Sequence, residues 1–129
     1  MPGNRPAAPA APRTAAAVLA RAADVIEANG WCQNGFLDLD AACHIPDPRQ
    51  VPVCAAGAIR IAAGHDPDDC GTQIPAMQIF AYWLTATGQA NSQDYGAPEN
   101  LIGFWNDAEQ RTATEVAAEL RHAAAAEAA

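Results

Sequence analysis

A thiol stands beside an indole at Trp31-Cys32-Gln33. A cysteine there can act as a nucleophile or touch a ligand, but its thiolate needs a base or a cation to form. No histidine lies near it in sequence. The alternative is that Trp31 and Cys32 plug the core, since unpaired cysteine is among the most buried residue types. A second candidate is Asn106-Asp107, which follows Phe104-Trp105 and precedes Arg111-Thr112. Beside Trp105 these two side chains can line a polar pocket, with Asp107 as acid or base. Equally, Asn and Asp bond nearby backbone amides in turns, and Arg111 would then pair with Asp107. Cys32, Cys43, Cys54 and His65 are evenly spaced, whereas zinc sites bring ligands together in close pairs such as C-x-x-C. Asp66, Asp68 and Asp69 lack the glycine and closing glutamate of a calcium loop, and read as a solvated turn. No metal site and no cofactor is expected. G-x-S-x-G, G-x-G-x-x-G and H-E-x-x-H are absent. The chain has no lysine, so Schiff-base and P-loop lysine chemistry are excluded.

Elements must position these groups. From Thr14, a helix reaching about Ala28 carries Val18, Leu19, Ala22, Val25 and Ile26 at helical spacing, and Asn29-Gly30 stops it. Trp31 and Cys32 thus sit just past a helix end. Phe36 to Asp40 alternates Leu37 and Leu39 with Asp38 and Asp40, which suggests a small strand or hairpin arm. His44 to Pro52 reads as a proline-rich loop. Val53 to Ala63 reads as a second helix with a small-residue side. Gly57 inside it costs about 1 kcal/mol relative to Ala, so another helix or strand should approach closely there. Pro75 opens a third helix running to Gly88. Glu99 to Trp105 suggests one short helical turn. Thr112-Ala-Thr-Glu115 is a capping box that opens the last helix, with Val116 and Leu120 inward.

The chain of 129 residues suits one domain. Residues 1–13, rich in proline and poor in large apolar groups, read as a disordered arm. Residues 14–125 form the single helical domain, and 126–129 a frayed tail. Half of the residues are hydrophobic, but much of that is alanine, which buries little area. The net charge of -8 repels nucleic acid and anionic membranes. No run of 18 strongly apolar residues suggests a span. Alanine and proline follow Arg5 and Arg13, with no leucine-rich core of a signal peptide. The expected location is the cytoplasm, with Cys32, Cys43, Cys54 and Cys70 as free thiols.

Three segments together carry a family resemblance: Trp31-Cys32-Gln33, Cys54-Ala55-Ala56-Gly57-Ala58-Ile59, and Trp105-Asn106-Asp107 with Arg111-Thr112 and Glu115-Val116. In this order they resemble a family of small bacterial and phage proteins of unknown function. Its pattern runs W-C, then C-A-x-G-A-[IL], then N-D-x-x-x-R-T-x-x-E-V. The resemblance covers about Val25 to Leu120. It implies a compact helical unit built around Cys32, Cys54 and the Asn106 segment, and it implies no activity. Cys43 and Cys70 fall outside the pattern. Because Cys32 and Cys54 both belong to it, a Cys32–Cys54 disulfide is the chief rival to free thiols.

The expected fold is mainly α: a compact four-helix-type domain with at most a small two-stranded hairpin. Trp31, Cys32, Trp105, Asn106 and Asp107 should converge on one side of it. The first functional expectation is a small acidic binding or accessory protein. It would hold a small molecule or a protein partner in a pocket framed by Trp31, Cys54, Trp105 and Asn106. The second is a small cofactor-independent enzyme acting on a metabolite, with Cys32 or Asp107 as the reactive group.

Overall fold

The computed structural model describes residues 14–69, 71–91 and 96–129; the expected arm at 1–13 lies outside them. Among the described residues six α-helices follow one another: α1 (Ala15–Asn29), α2 (Leu39–Ala42), α3 (Ala55–Ala62), α4 (Pro75–Ala86), α5 (Pro98–Asn106) and α6 (Ala113–Ala128). A 3-10 turn at Pro48–Gln50 lies between α2 and α3. The fold is mainly α, as expected, with no sheet among the described residues.

Thr14 caps α1 by accepting from the Ala17 amide at 3.1 Å, which satisfies a donor that has no partner inside the helix. Val18, Leu19, Ala22, Ala23 and Ile26 form its buried stripe. Gly30 ends it at a φ of +100°, a conformation that favours glycine. α1 packs along both α6 and α3, while α4 packs on α5. Both α1 and α6 bury small residues, Ala22 and Ala23 on α1 and Ala117, Ala123 and Ala124 on α6. Small residues let two helix backbones approach closely. The larger core groups are Leu19, Ile59, Phe80, Leu84, Ile102, Val116 and Leu120, each worth about 1.5–3 kcal/mol when fully buried. Thr112 caps α6 by accepting from the Glu115 amide at 3.2 Å. That helix continues to Ala128, through most of the tail expected to fray.

Every residue of α3 is buried, Arg60 included. Gly57 explains why this helix carries a glycine, and the neighbour is neither a helix nor a strand. A Cβ at Gly57 would overlap the carbonyl oxygen of Phe36, a loop residue. The strand expected over Phe36 to Asp40 reduces to a single bridge from Leu37 to Val53. The chain coils directly afterwards because Asp38 caps α2, accepting from the Ala41 amide at 3.1 Å. Leu39 is consequently 75% exposed rather than turned to the core with Leu37. The short turn expected over Glu99 to Trp105 is the nine-residue α5, begun by Pro98 at its first position. No helix among the described residues is long and apolar enough to cross a membrane.

Candidate functional site

Where α1 stops, the chain runs beside Pro52–Cys54. Val53 donates to the Gly30 carbonyl at 3.3 Å and accepts from the Cys32 amide at 3.1 Å. On its other side the same stretch takes Phe36 to Asp38: Cys54 donates to the Phe36 carbonyl at 3.2 Å, and Asp38 to the Pro52 carbonyl at 2.9 Å. This brings the thiol segment to the start of α3. The end of α5 meets both.

Asn106 makes that junction. It is fully buried, and its Oδ1 accepts from Trp31 Nε1 at 2.7 Å and from the Ala55 amide at 2.9 Å. Its Nδ2 donates to the Cys32 carbonyl and to Asp107 Oδ1, both at 3.1 Å. A side-chain amide offers two acceptor sites and two donors, so the group is saturated. Gln33 adds two bonds, from Nε2 to the carbonyls of Asn106 at 3.0 Å and Ala108 at 2.9 Å. Asp107 Oδ1 accepts from the Asn34 amide at 2.9 Å, holding Asn34 at a φ of +66°, which asparagine tolerates better than most residues.

Of the residues expected to converge, Trp31, Cys32, Asn106 and Asp107 meet at this junction, together with Cys54, whereas the Trp105 ring turns into the core. Trp31 and Asn106 bond each other. Trp105 is buried against Phe80, edge to face with centroids 5.7 Å apart. Arg111 stacks 4.2 Å over the Trp105 ring, donates from Nε to the Trp105 carbonyl at 2.9 Å, and pairs with Glu115. The expected Arg111–Asp107 pair does not form. An i,i+4 carboxylate on α6 is the nearer partner, and Asp107 is engaged with Asn34 and Asn106.

Cys32 is half-buried, its Sγ facing the carbonyls of Gly35 at 3.7 Å and Pro52 at 3.8 Å. Burial pushes its thiol up to about 12, assisted by Cys54, Asp38 and Asp107. Cys54 is buried and caps α3, its Sγ accepting from the Gly57 amide at 3.4 Å. Burial pushes this thiol up as well, against the opposing pull of the Gly57 and Ala56 amides. Both are thiols at neutral pH. Among the described residues no group of three His, Cys, Asp or Glu side chains could hold a metal ion.

Beside this junction lies an open groove of about 370 Å³, lined by Gly35, Phe36, Cys54, Glu99, Asn100, Gly103, Phe104 and Asp107. Only Cys54 and Asp107 of the expected residues line it. Phe36 is fixed by the buried Arg60, whose guanidinium lies 4.0 Å over the ring and donates from Nη1 to the Pro67 carbonyl at 3.2 Å. Phe104 is 66% exposed. Glu99 with Gly103, and Asn100 with Phe104, lie one turn apart on α5, a spacing that a single helical turn could not reveal. Larger hollows occur elsewhere, of about 730 Å³ beside Asp47 and Arg49 and about 650 Å³ between α1 and α6. Their charges are largely self-satisfied: Arg49 pairs with Asp47, and Arg121 with Asp24 and Glu27.

A model of a family of unknown function (DUF6197) matches residues 10–126. The chain belongs to this family. The DUF6197 match spans α1 through most of α6, and with them the whole Asn106 junction and the groove. No curated protein and no solved structure matches the chain.

Proposed function

We propose that this domain is a small binding or accessory protein, and that its groove accepts a positively charged group carried on an apolar body. One observation carries this reading. The groove sets two phenyl rings, Phe36 and Phe104, beside two acidic side chains, Glu99 and Asp107, and no Arg or His lines it. A volume of this order suits a small ligand or one partner side chain. The two rings supply the apolar wall, and Glu99 and Asp107, with the net charge of -8, raise the local concentration of cations. The same charge repels nucleic acid and anionic membranes, so the partner in this reading is a small molecule or a protein, met in the cytoplasm.

The enzyme alternative asks Cys32 or Asp107 to react. The groups that influence Cys32 are burial, a second thiol and two carboxylates, and all of them oppose a thiolate. That weighs against a cysteine nucleophile. Asp107 stays available to this reading only through the oxygen not bonded to Asn34 and Asn106.

Titration with phenethylammonium, followed by amide NMR shifts, tests the binding reading. The shifts are expected to centre on Gly35 and Gly103. Shifts confined to the hollow between α1 and α6, or none at all, would overturn it.

A further inference from the structure

Trp31 and Val53 form a parallel bridge, fixed by the two backbone bonds that Val53 makes to Gly30 and Cys32. In a parallel pair, the residues one step past a bridge again stand opposite each other, and their side chains leave the same face. Those residues are Cys32 and Cys54. Cys54 is still extended, with φ -77° and ψ 176°, so the pairing geometry persists until α3 begins. Neighbouring strands lie about 4.8 Å apart, and a disulfide joins Cα atoms about 4.4–6.8 Å apart. Asn106 holds the two backbones together from outside the pair, binding the Cys32 carbonyl and the Ala55 amide. Cys43, by contrast, is exposed on the far end of α2, its Sγ against the Leu39 carbonyl at 3.3 Å.

We infer that Cys32 and Cys54 are a disulfide-forming pair, which a low-molecular-weight disulfide oxidant closes into a clasp between the Trp31 segment and the start of α3. The state described here, with both sulfurs free, is the reduced one. Cys32, the more accessible sulfur, attacks the oxidant and forms a mixed disulfide, releasing one thiol. Cys54 then displaces the second thiol and closes the ring. Two S–H bonds break, and their two protons pass through solvent to the two thiolates that the oxidant releases, so two electrons and two protons together reduce its disulfide to two thiols. Cys54 gives up its weak bond from the Gly57 amide in the process. This inference stands on backbone pairing and does not depend on what the groove binds.

The test treats the full, reduced chain with excess 2-hydroxyethyl disulfide, a neutral oxidant that the acidic surface does not repel. Remaining thiols are blocked in denaturant with N-ethylmaleimide and the chain is mapped by mass spectrometry. The folded chain is expected to give a cross-linked peptide pair containing Cys32 and Cys54, two hydrogens lighter than the reduced pair. Cys43 should carry only the oxidant's thiol adduct. Because exchange proceeds through thiolate, closure should accelerate about tenfold per pH unit between pH 7 and 9. Cys32→Ser should abolish the cross-link while leaving the Cys43 adduct. The inference is overturned if Cys32 and Cys54 are recovered unlinked. It is equally overturned if the folded chain links them no more selectively than the chain does in denaturant.

Discussion

Asn106 concentrates more structural consequence than any other side chain near the groove. Asn106→Ala strands Trp31 Nε1 and the Ala55 amide, each worth about 1–3 kcal/mol when left buried without a partner. A loss of several kcal/mol in urea unfolding is expected, and a variant within 1 kcal/mol of the parent would show that water replaces the amide. Asn106→Asp keeps the acceptor but sets a new carboxylate against Asp107 Oδ1, 3.1 Å from the present amide nitrogen. Repulsion raises that carboxyl's folded-state pKa, so its deficit should grow as pH rises and shrink near pH 4. Cys32 gives a second check. Its thiol moves from 9.0 to about 12, so at pH 8 its thiolate should be roughly a thousandfold scarcer than in the unfolded chain. Iodoacetamide should therefore modify exposed Cys43 far faster than Cys32 in the folded protein, and equal rates would refute the assignment. Because the folded value is the raised one, the stability tied to Cys32 is present below pH 9.0 and is lost as pH climbs toward about 12. The meeting of Cys32, Cys54 and Asn106 was legible in the sequence, because all three fall at helix ends. Whether Asn106 faces a ligand or the backbone was not. Nothing in a run of residue types says that Trp31 and Ala55 will supply its partners.

Elements were legible where a stripe or a cap marked them, as in α1, with Thr14, Val18, Leu19 and Ile26, and in α6 with its capping box. They were misread where one side chain redirected the backbone. Leu37 and Leu39 alternate like a strand, yet the carboxylate of Asp38 turns the chain into α2 after one bridge. α5 was placed over Glu99 to Trp105 but taken for a single turn, whereas Pro98 starts a nine-residue helix that runs to Asn106. Gly57 was read correctly as a site of close approach, but the approaching group is the carbonyl of Phe36. On propensity alone Gly57→Ala would stabilise α3 by about 1 kcal/mol. The overlap with Phe36 should reverse the sign, to a net loss of about 1–3 kcal/mol, and Gly57→Leu should fail to fold. An unchanged or raised urea midpoint for Gly57→Ala would mean that the Phe36 loop yields freely.

At the scale of the whole molecule, three chain segments distant in sequence are tied at one end of the helical core, and the groove opens beside that tie. The Asn106 junction is saturated, so the binding proposed above falls to the neighbouring surface, where Phe36 and Phe104 line one groove with Glu99 and Asp107. The central claim is that this groove prefers positive charge on an apolar body. Calorimetric affinities for phenethylammonium and for the neutral 2-phenylethanol, each at low and high salt, address it most directly. The amine should bind more tightly than the alcohol and weaken as salt rises. It should lose that advantage in the Glu99→Gln, Asp107→Asn double variant, which keeps the Asp107 acceptor for Asn34. Equal affinity for amine and alcohol in the parent chain, or an amine preference unchanged in the double variant, would contradict the account.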